Sequence, residues 1–289
     1  MDVRLQAKYI RLVEIVRKLE RVVVAFSGGV DSTLLARAAK DGLGERALLV
    51  TADSETYPEA ELAEAKRLAQ TLGMRHVVIR SRELDNPDYA RNLANRCFFC
   101  KEELFDKIRS VVDEDGAAQV IYGANVDDLG DHRPGMHAAR QMGIGAPLIE
   151  VGLTKPEIRE LSRELGLSTW DKPSFACLSS RFPYGDPITV EKLRRVEAAE
   201  AFLRGLGFRQ LRVRHHDTLA RLEVPLEEVS RLWEDGRHEK IAGRFREIGY
   251  LYVAVDLQGF RSGSMNEVLQ HRARSGLSED GPSTTQPPA

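Results

Sequence analysis

The sequence predicts an α/β fold, in which a parallel sheet flanked by helices is followed by a small C-terminal α+β domain. Short apolar segments alternate with helical patterns through the first half of the 289 residues, which is typical of βαβ units and a parallel sheet. A glycine-rich turn, Ser27 to Ser32, joins the first apolar segment to a helical pattern. After Thr189 the pattern changes to a long helix and three short strands, which predicts a second domain.

The elements of the first domain follow from periodicity and capping residues. Charged residues alternate with Leu, Ile and Val at helical spacing over residues 2–20, which predicts an amphipathic helix. Pro58 opens a helix, and Thr154 with Glu157 forms a capping-box pattern at the start of another. Helices are predicted at residues 2–20, 33–39, 59–71, 101–112 and from 154 onward, and strands at 22–26, 47–51, 76–79, 119–122 and 147–151.

The rest of the chain is divided by composition. Residues 170–187 combine prolines and aromatics with little periodicity, yet are too apolar for a disordered linker, so we expect an ordered active-site segment. The predicted domains are residues 1–170, a connecting segment at 171–187, a small α+β domain at 188–268 and a disordered tail at 269–289. The small domain is predicted to contain a helix at 190–206, strands at 210–215 and 220–224, two helical segments up to residue 248 and a strand at 250–256.

The composition is that of a soluble globular protein, with 42% hydrophobic and 30% charged residues. The net charge of −2 argues against a dominant nucleic-acid-binding surface. The first twenty residues lack the apolar core of a signal peptide, and no apolar run approaches the roughly 20 residues of a membrane span. We therefore expect a cytoplasmic protein. Three cysteines do not suit a disulfide framework, and reduced thiols favour metal binding or catalysis.

The turn SGGVDS, Ser27 to Ser32, has the context of a phosphate-binding loop. A strand precedes it and a helix N-terminus follows, where unpaired backbone N–H groups favour an anion. Gly28 and Gly29 allow the backbone to approach the anion closely, while the two serines add hydroxyl donors. No lysine follows the glycines, so this is not the GxxxxGK[ST] loop of ordinary NTPases.

These six residues resemble the SGGxDS loop of the PP-loop ATPases, which split ATP between the α and β phosphates and transfer AMP to a substrate oxygen. The resemblance implies ATP with Mg²⁺, which Asp31 is expected to help hold because Mg²⁺ favours carboxylate and phosphate oxygens. Ligands of a parallel sheet bind at the carboxyl ends of its strands. The loop, residues 51–53 and the segment after Ile79 should therefore share one crevice. The polar segment 123–135, at the end of the fourth predicted strand, is expected to form an active-site loop, and its Gly123 is expected to contact the nucleotide.

The three cysteines leave several kinds of site open. Cys97 and Cys100 form a CxxC pair on a predicted turn before a helix, which fits a redox couple, half of a zinc site or two structural thiols. A zinc site would need Cys177 and a histidine as well. The candidate histidines are His132, His215 and His216. Three thiolates with one iron left open fit a substrate-binding [4Fe-4S] cluster equally well, since soft ligands select zinc or iron–sulfur.

Six segments together resemble the LarE family of ATP-dependent sulfur transferases, over roughly residues 8–267. They are SGGVDS, GANVDDLGDHRPG, PSFACLSSRFPYG, RVRHH, ARLEV and FRSGSMNE. The resemblance implies that ATP adenylates the carboxylates of pyridinium-3,5-biscarboxylic acid mononucleotide. A sulfur nucleophile then displaces AMP and leaves thiocarboxylates for the nickel-pincer cofactor of lactate racemase. It also implies a homo-oligomer acting on a small-molecule nucleotide, with an unspecified sulfide source and no membrane or nucleic-acid partner.

The family has two versions that differ in their cysteines. One keeps only the cysteine of the ACLSSR motif, here Cys177, which donates its own sulfur and becomes dehydroalanine. The other has three cysteines and is similar to the cluster-binding tRNA thiolases. Cys97 and Cys100 complete that pattern, so the resemblance implies a [4Fe-4S] cluster on the three cysteines. The sacrificial role of Cys177 remains the main alternative.

The substrate carries a phosphate and two carboxylates, so its site is expected to contain arginines, whose guanidinium groups bind such anions bidentately. The candidates are Arg181, Arg212, Arg214 and Arg261. Arg212 and Arg214 alternate on one predicted strand and therefore face the same side. Glu200 and Glu223 resemble acidic family positions, and their role is left open.

Three other functions share parts of this pattern. A tRNA thiolase would need a positively charged face for RNA, which the near-neutral charge disfavours. An NAD or GMP synthetase would need an ammonia source, and the sequence contains no glutaminase-like segment. A non-catalytic iron–sulfur or zinc assembly factor would retain the loop without turnover, and ATP–pyrophosphate exchange separates it from the enzymes.

Overall fold

The computed structural model describes residues 2–115, 118–130, 134–261 and 263–268. These residues form two compact units. The first contains the chain up to Tyr89 and Asn95–Cys177, and the second contains Ala90–Ala94 and the chain from Leu178 onward. The chain passes from one unit to the other immediately after Cys177. Residues 269–289, predicted as a disordered tail, lie outside the described residues.

The first unit is built on a sheet of four parallel strands in the order β3-β2-β1-β4. The strands are β1 Val22–Ala25, β2 Ala47–Asp53, β3 Arg75–Arg80 and β4 Gln119–Tyr122. Val23 lies opposite Leu48 on one side and Val120 on the other, and all three side chains are buried. Buried β-branched runs are typical of a parallel sheet covered on both faces. The predicted parallel α/β fold is confirmed.

Helices accompany this sheet along the chain. They are α1 Val3–Arg17, α2 Val30–Leu43, α3 Glu59–Leu72, α4 Pro87–Ala90, α5 Arg96–Asp115, α6 Pro134–Gln141, α7 Pro147–Glu150 and α8 Lys155–Glu164. Asp2 caps α1 by accepting a hydrogen bond from the Arg4 N–H, and Gly73 ends α3 in the left-handed conformation. The predicted capping box of α8 is confirmed, because Glu157 accepts hydrogen bonds from the Thr154 N–H and hydroxyl.

Two predictions for the first unit are wrong. Residues 147–151, predicted as a strand, form the short helix α7, and an isolated bridge pairs Gly145 with Ile121 just before it. Pro147 lacks the N–H that a sheet ladder needs, and its fixed φ suits the first turn of a helix. The CxxC pair, predicted on a turn before a helix, lies within the first two turns of α5, so Cys97 and Cys100 share one face of that helix.

The second unit contains a three-stranded sheet in the order β5-β6-β7, which confirms the predicted small α+β domain. Its strands are β5 Arg212–His216, β6 Leu219–Glu223 and β7 Tyr252–Val255, and its helices are α9 Val190–Gly205 and α10 Arg237–Ile248. β5 and β6 are antiparallel, whereas β6 and β7 are parallel. Phe208, Phe245 and Tyr250 contribute to the core of this unit. The first helical segment predicted after β6 is a 3₁₀ helix, Leu226–Leu232.

No described helix combines the length and the apolar character that crossing a membrane requires.

Candidate active site

The SGGVDS turn lies between β1 and α2, at the carboxyl edge of the sheet, and its own side chains hold its shape. The Ser32 hydroxyl donates to the Gly29 carbonyl at 3.1 Å and accepts from the Ser27 N–H at 3.3 Å. Gly28 has a φ of +63°, which strains any other residue, and a Cβ there would lie in a tight contact, 3.2 Å from Cα of Ala65. The first N–H groups of the 14-residue helix α2 have no acceptor within the helix, which suits phosphate binding.

Gly123, at the end of β4, is packed directly against this loop. A Cβ at Gly123 would lie 2.9 Å from the Ser32 nitrogen and 3.1 Å from the Asp31 carbonyl carbon. Any side chain at this position would therefore displace the N-terminus of α2. The close approach explains why a glycine follows β4, and it brings the chain after β4 against the residues that are predicted to bind phosphate.

Asp31 is held by two polar groups from other segments of the first unit. Its carboxylate accepts hydrogen bonds from Lys155 Nζ at 2.5 Å and from Asn125 Nδ2 at 3.2 Å. The backbone N–H of Lys155 in turn donates to Asp127 at 2.5 Å. Lys155 supplies a positive charge beside a loop that lacks the lysine of ordinary NTPase loops. The sequence analysis missed this residue, because a lysine at the start of a helix has no distinctive pattern.

Lys172 is a second cation that the sequence analysis missed. Its ammonium group donates to the Gly28 carbonyl at 3.1 Å and pairs with Glu61 and Glu64, both at 2.8 Å. The side chain is only 12% exposed. These three acceptors match the three N–H donors of a lysine. The residue therefore fastens the chain before Cys177 to the loop and to α3.

Tyr57 contacts the same loop from the segment between β2 and α3. Its hydroxyl donates to the Ser27 carbonyl at 2.8 Å, and its ring packs edge-to-face on Phe175, with 6.2 Å between ring centroids. Burial, followed by the negative charges of Glu61 and Glu64, raises the pKa of Tyr57, so the hydroxyl remains a donor. Sequence reasoning had no signal for this contact, because an isolated tyrosine in a loop shows no pattern.

The three cysteines lie in the first unit as free thiols, with Cys97 exposed and the other two partly exposed. Although Cys97 is exposed as a residue, crowding around its thiol raises its pKa, and the charge of Cys177 adds to that effect. Burial likewise raises the pKa of Cys100, and Cys177 again contributes in the same direction. The positive charge of Lys101 opposes both shifts. The three thiols therefore share one electrostatic environment.

Glu83 is a buried carboxylate that contributes to this environment. It is 4% exposed and accepts hydrogen bonds from the hydroxyls of Ser54, Thr56 and Ser81, at 2.7, 2.5 and 2.8 Å. After burial, its negative charge is the largest cause of the raised pKa of Cys100. Within the described residues, no group of three or more His, Cys, Asp or Glu side chains is arranged to hold a metal ion. His132, a candidate zinc ligand, lies outside those residues.

Arg181, in the second unit, is completely buried and faces Glu200. Its Nε and Nη2 donate to the two carboxylate oxygens at 2.8 and 3.0 Å. Glu200 also accepts from Arg204 at 2.9 Å and from the Val213 N–H at 3.1 Å. Burial by itself would raise the pKa of Glu200, but Arg181 and the neighbouring arginines hold that pKa below its usual value. The pair links the chain after Leu178 to α9 and β5.

Arg212 and Arg214 lie two residues apart on β5 and are both buried. Arg214 donates to Glu223 at 2.6 Å, to the Ser180 carbonyl at 2.8 Å and to the Ser264 hydroxyl at 2.8 Å. Arg212 donates to the Leu211 carbonyl at 2.7 Å and lies over the Phe260 ring at 5.1 Å. Burial, followed by the positive charge of Arg181, lowers the pKa of Arg212 to about 9. Three arginines, Arg181, Arg204 and Arg214, act on Arg212 in this direction, and the negative charge of Glu200 opposes them.

The other candidate residues of this unit are one substrate-binding arginine and two candidate zinc ligands. Arg261 is partly exposed and pairs with Glu267 at 3.1 Å and with Asp256 at 3.4 Å. His215 and His216 belong to β5, and the His215 Nδ1 lies 3.1 Å from the Tyr250 hydroxyl. Burial lowers the pKa of both histidines. Both are therefore neutral packing residues of this sheet at physiological pH.

Comparisons with known proteins agree with this architecture. The NAD synthase family model matches residues 6–93, which include the phosphate-binding loop. An uncharacterized protein of Synechocystis is 45% identical over 92% of this chain and 99% of its own length. A GMP synthase of Aeropyrum pernix is 30% identical over 63% of this chain and 39% of its own length, so that likeness is partial.

One relative with a named activity matches along nearly the whole chain. The pyridinium-3,5-bisthiocarboxylic acid mononucleotide synthase of Lactiplantibacillus plantarum is 35% identical over 266 residues, which are 92% of this chain and 96% of that protein. A match over 266 of the 289 residues extends over both units. The chain therefore belongs to the LarE family of PP-loop sulfurtransferases.

Proposed function

We propose that this protein is an ATP-dependent sulfur transferase that adenylates the carboxylates of pyridinium-3,5-biscarboxylic acid mononucleotide, releases pyrophosphate and converts the carboxylates to thiocarboxylates for the nickel-pincer cofactor of lactate racemase. The observation that carries the proposal is the SGGVDS loop with Asp31 and Lys155 beside it. It stands in a chain that matches a bisthiocarboxylic acid mononucleotide synthase along 92% of its length.

The first half-reaction uses the loop of the first unit. The N–H groups at the start of α2 bind the phosphates, while Gly28 and Gly123 allow the loop to pack closely against α3 and the end of β4. A substrate carboxylate oxygen attacks the α-phosphorus, and pyrophosphate leaves with the electrons of the broken α–β bond. Asp31 would help hold Mg²⁺ on the phosphates, which supplies charge neutralisation. Lys155, paired with Asp31 at 2.5 Å, provides a protein cation at the same place.

Substrate recognition is assigned to the arginines of the second unit. Arg181 and Arg214 each already face a buried glutamate, so their charges are largely compensated. At Arg212, burial and the repulsion of neighbouring arginines outweigh the attraction of Glu200 and lower the pKa. An anionic ligand beside Arg212 would relieve the repulsion. We therefore assign the carboxylate or phosphate of the substrate chiefly to Arg212, with Arg214 and Arg261 beside it.

The second half-reaction involves the cysteines. The donor set of Cys97, Cys100 and Cys177 fits a [4Fe-4S] cluster by chemistry, because thiolates select iron–sulfur, and the charge of Cys177 contributes to the raised pKa of Cys97 and of Cys100. When bound, such a cluster supplies the sulfide that replaces AMP on the acyl-adenylate. The chain must release protons from its thiols to hold it, and the positive charge of Lys101 favours that loss.

The test is anaerobic purification followed by counting of iron, sulfide and product. We expect about four irons per chain, in keeping with a single [4Fe-4S] cluster, pyrophosphate release that requires the biscarboxylate nucleotide, and more than one product per chain when sulfide is supplied. Cys177→Ser should remove both iron and product. A chain lighter by one H₂S at Cys177 after a single turnover, with no iron requirement, would replace the cluster with the sacrificial mechanism.

Further assays on the same purified protein separate the main competing functions. Thiolation of tRNA without use of the biscarboxylate nucleotide would favour a tRNA thiolase. Absence of ATP–pyrophosphate exchange would favour a non-catalytic assembly factor. Size-exclusion chromatography with light scattering tests the homo-oligomer that the family resemblance implies.

A further inference from the structure

The segment that carries Cys177 reaches the ATP loop through two side-chain contacts. Residues 172–177 form neither helix nor strand, so side-chain contacts contribute strongly to their position. Lys172 lies at the start of this segment and Phe175 in its middle. Lys172 contacts the backbone of the SGGVDS turn directly, and Phe175 reaches it through Tyr57. All of these residues lie within the first unit.

The Lys172 contact is a charged anchor. Its ammonium group is 12% exposed and uses its three donors on the Gly28 carbonyl, Glu61 and Glu64, at 3.1, 2.8 and 2.8 Å. Breaking this contact would leave two carboxylates of α3 without their cation at a partly buried position. The anchor therefore fixes the start of the segment at the second residue of the loop.

The Phe175 contact is relayed by Tyr57. The Phe175 ring meets the Tyr57 ring edge-to-face at 84° and 6.2 Å, and the Tyr57 hydroxyl donates to the Ser27 carbonyl at 2.8 Å. Tyr57 is thus the link between an aromatic residue two positions before Cys177 and the first residue of the loop. The two contacts end on the neighbouring carbonyls of Ser27 and Gly28.

We propose that Tyr57 and Lys172 are positioning residues, which transmit occupancy of the ATP loop to the segment that carries Cys177. This inference rests on the proposed function, because it requires ATP at the loop. Phosphate bound by the loop fixes the peptide groups of Ser27 and Gly28. It thereby fixes the two carbonyl acceptors, and the segment 172–177 becomes ordered against them. Cys177 is then held in place when the acyl-adenylate is present and is less restrained when the loop is empty.

Hydrogen–deuterium exchange measured by mass spectrometry tests the coupling on the full chain. The probe is α,β-methylene-ATP, which cannot be cleaved between its α and β phosphates. In the wild type we expect the nucleotide to slow exchange in the loop and also in residues 172–177. In Tyr57→Phe the slowing at 172–177 should fall about fivefold, the factor contributed by one net hydrogen bond, while slowing at the loop remains.

Two further variants make this measurement specific. Phe175→Leu removes the aromatic contact without touching the loop, and it should give the same loss of slowing at 172–177. Tyr9→Phe is the matched control, because the Tyr9 hydroxyl donates to Asp41 at 2.8 Å rather than to the loop; it should behave as the wild type. In turnover, Tyr57→Phe should release more pyrophosphate per thiocarboxylate formed, since adenylation proceeds but the sulfur step is poorly positioned.

The outcomes separate this inference from the proposed function. Nucleotide-dependent slowing at the loop without any at 172–177 in the wild type would overturn the coupling and leave the ATP site intact. Equal slowing in the wild type, Tyr57→Phe and Phe175→Leu would overturn the role of Tyr57. Failure of the wild type to bind the nucleotide would overturn the proposed function and the coupling with it.

Discussion

Replacement of Arg181 is expected to destabilise the second unit before it affects substrate binding. The buried guanidinium makes two hydrogen bonds to Glu200, at 2.8 and 3.0 Å. In Arg181→Met, the Glu200 carboxylate stays buried with Arg204 and the Val213 N–H as its remaining donors. Removing one partner of a buried pair costs about 3–5 kcal/mol, and the Arg204 contact places the expected loss near the lower end, at ~3 kcal/mol.

Urea unfolding followed by Trp233 fluorescence measures this loss. The other tryptophan of the chain, Trp170, lies in the first unit and can be replaced by Phe in all variants. With a slope of about 1–3 kcal/mol/M, a loss of ~3 kcal/mol lowers the midpoint by roughly 1–3 M urea. Arg204→Met is the matched control, because it contacts the same carboxylate at 2.9 Å from a side chain that is 30% exposed. We expect that control to lose less than about 1 kcal/mol.

The pH dependence gives an independent check of the same pair. Glu200 has a lowered pKa in the folded protein, because the arginines outweigh the opposing effect of burial. Such a carboxyl stabilises the fold above its unfolded pKa of about 4.3, and that stabilisation is lost as the pH falls below it. Arg181→Met should lose part of this acid sensitivity. A loss of under about 1 kcal/mol for Arg181→Met, together with a raised KM for the substrate, would refute the structural role and favour direct substrate binding.

Three other perturbations test separate parts of the site. Asp31→Asn is expected to abolish pyrophosphate release while circular dichroism stays native, because the carboxylate beside the loop and its pairing with Lys155 are lost; normal release would remove Asp31 from the ATP site. Arg212→Met should raise the KM for the biscarboxylate nucleotide about tenfold to a hundredfold and that for ATP little, since a charged hydrogen bond contributes roughly 1.5–3 kcal/mol; an equal effect on ATP would contradict the assignment. Burial lowers the pKa of His215 to about 4. The unfolded chain therefore takes up that proton first as the pH falls from about 6.5, and the second unit should lose stability in this range; an unfolding midpoint with the same pH slope in His215→Gln would argue against this origin.

The sequence predicted the strands of the first unit well because their signal is local. Val22, Val23 and Val24 form a β-branched run whose side chains are all buried in the sheet. The wrong prediction of a strand at residues 147–151 also comes from reading a local signal. Pro147, Leu148 and Ile149 are apolar, and a short apolar run does not by itself distinguish a strand from a buried turn of helix. Pro147 decides between the two, because it lacks the N–H that a sheet ladder needs and suits the first turn of a helix.

The parts of the site that sequence reasoning missed depend on contacts across long chain separations. Lys155 reaches Asp31 across 124 residues, and Lys172 reaches Gly28 across 144. Neither lysine belongs to the SGGVDS motif, and a lysine at the start of a helix has no distinctive pattern. Only the parallel sheet, which gathers the ends of β1 and β4 at one edge, brings such residues to the loop.

Sequence pattern alone does not predict which carboxylates pair with the arginines of the second unit. Alternation on β5 predicts that Arg212 and Arg214 face one side, but it does not reveal that Glu223 pairs with Arg214 at 2.6 Å or that Glu200 pairs with Arg181. A paired guanidinium must break charged hydrogen bonds before it binds a ligand, so it contributes less net affinity than its charge suggests. Arg212, whose pKa burial and neighbouring arginines lower to about 9, gains most from an added anion. Stability should therefore depend on Arg181, and substrate affinity on Arg212.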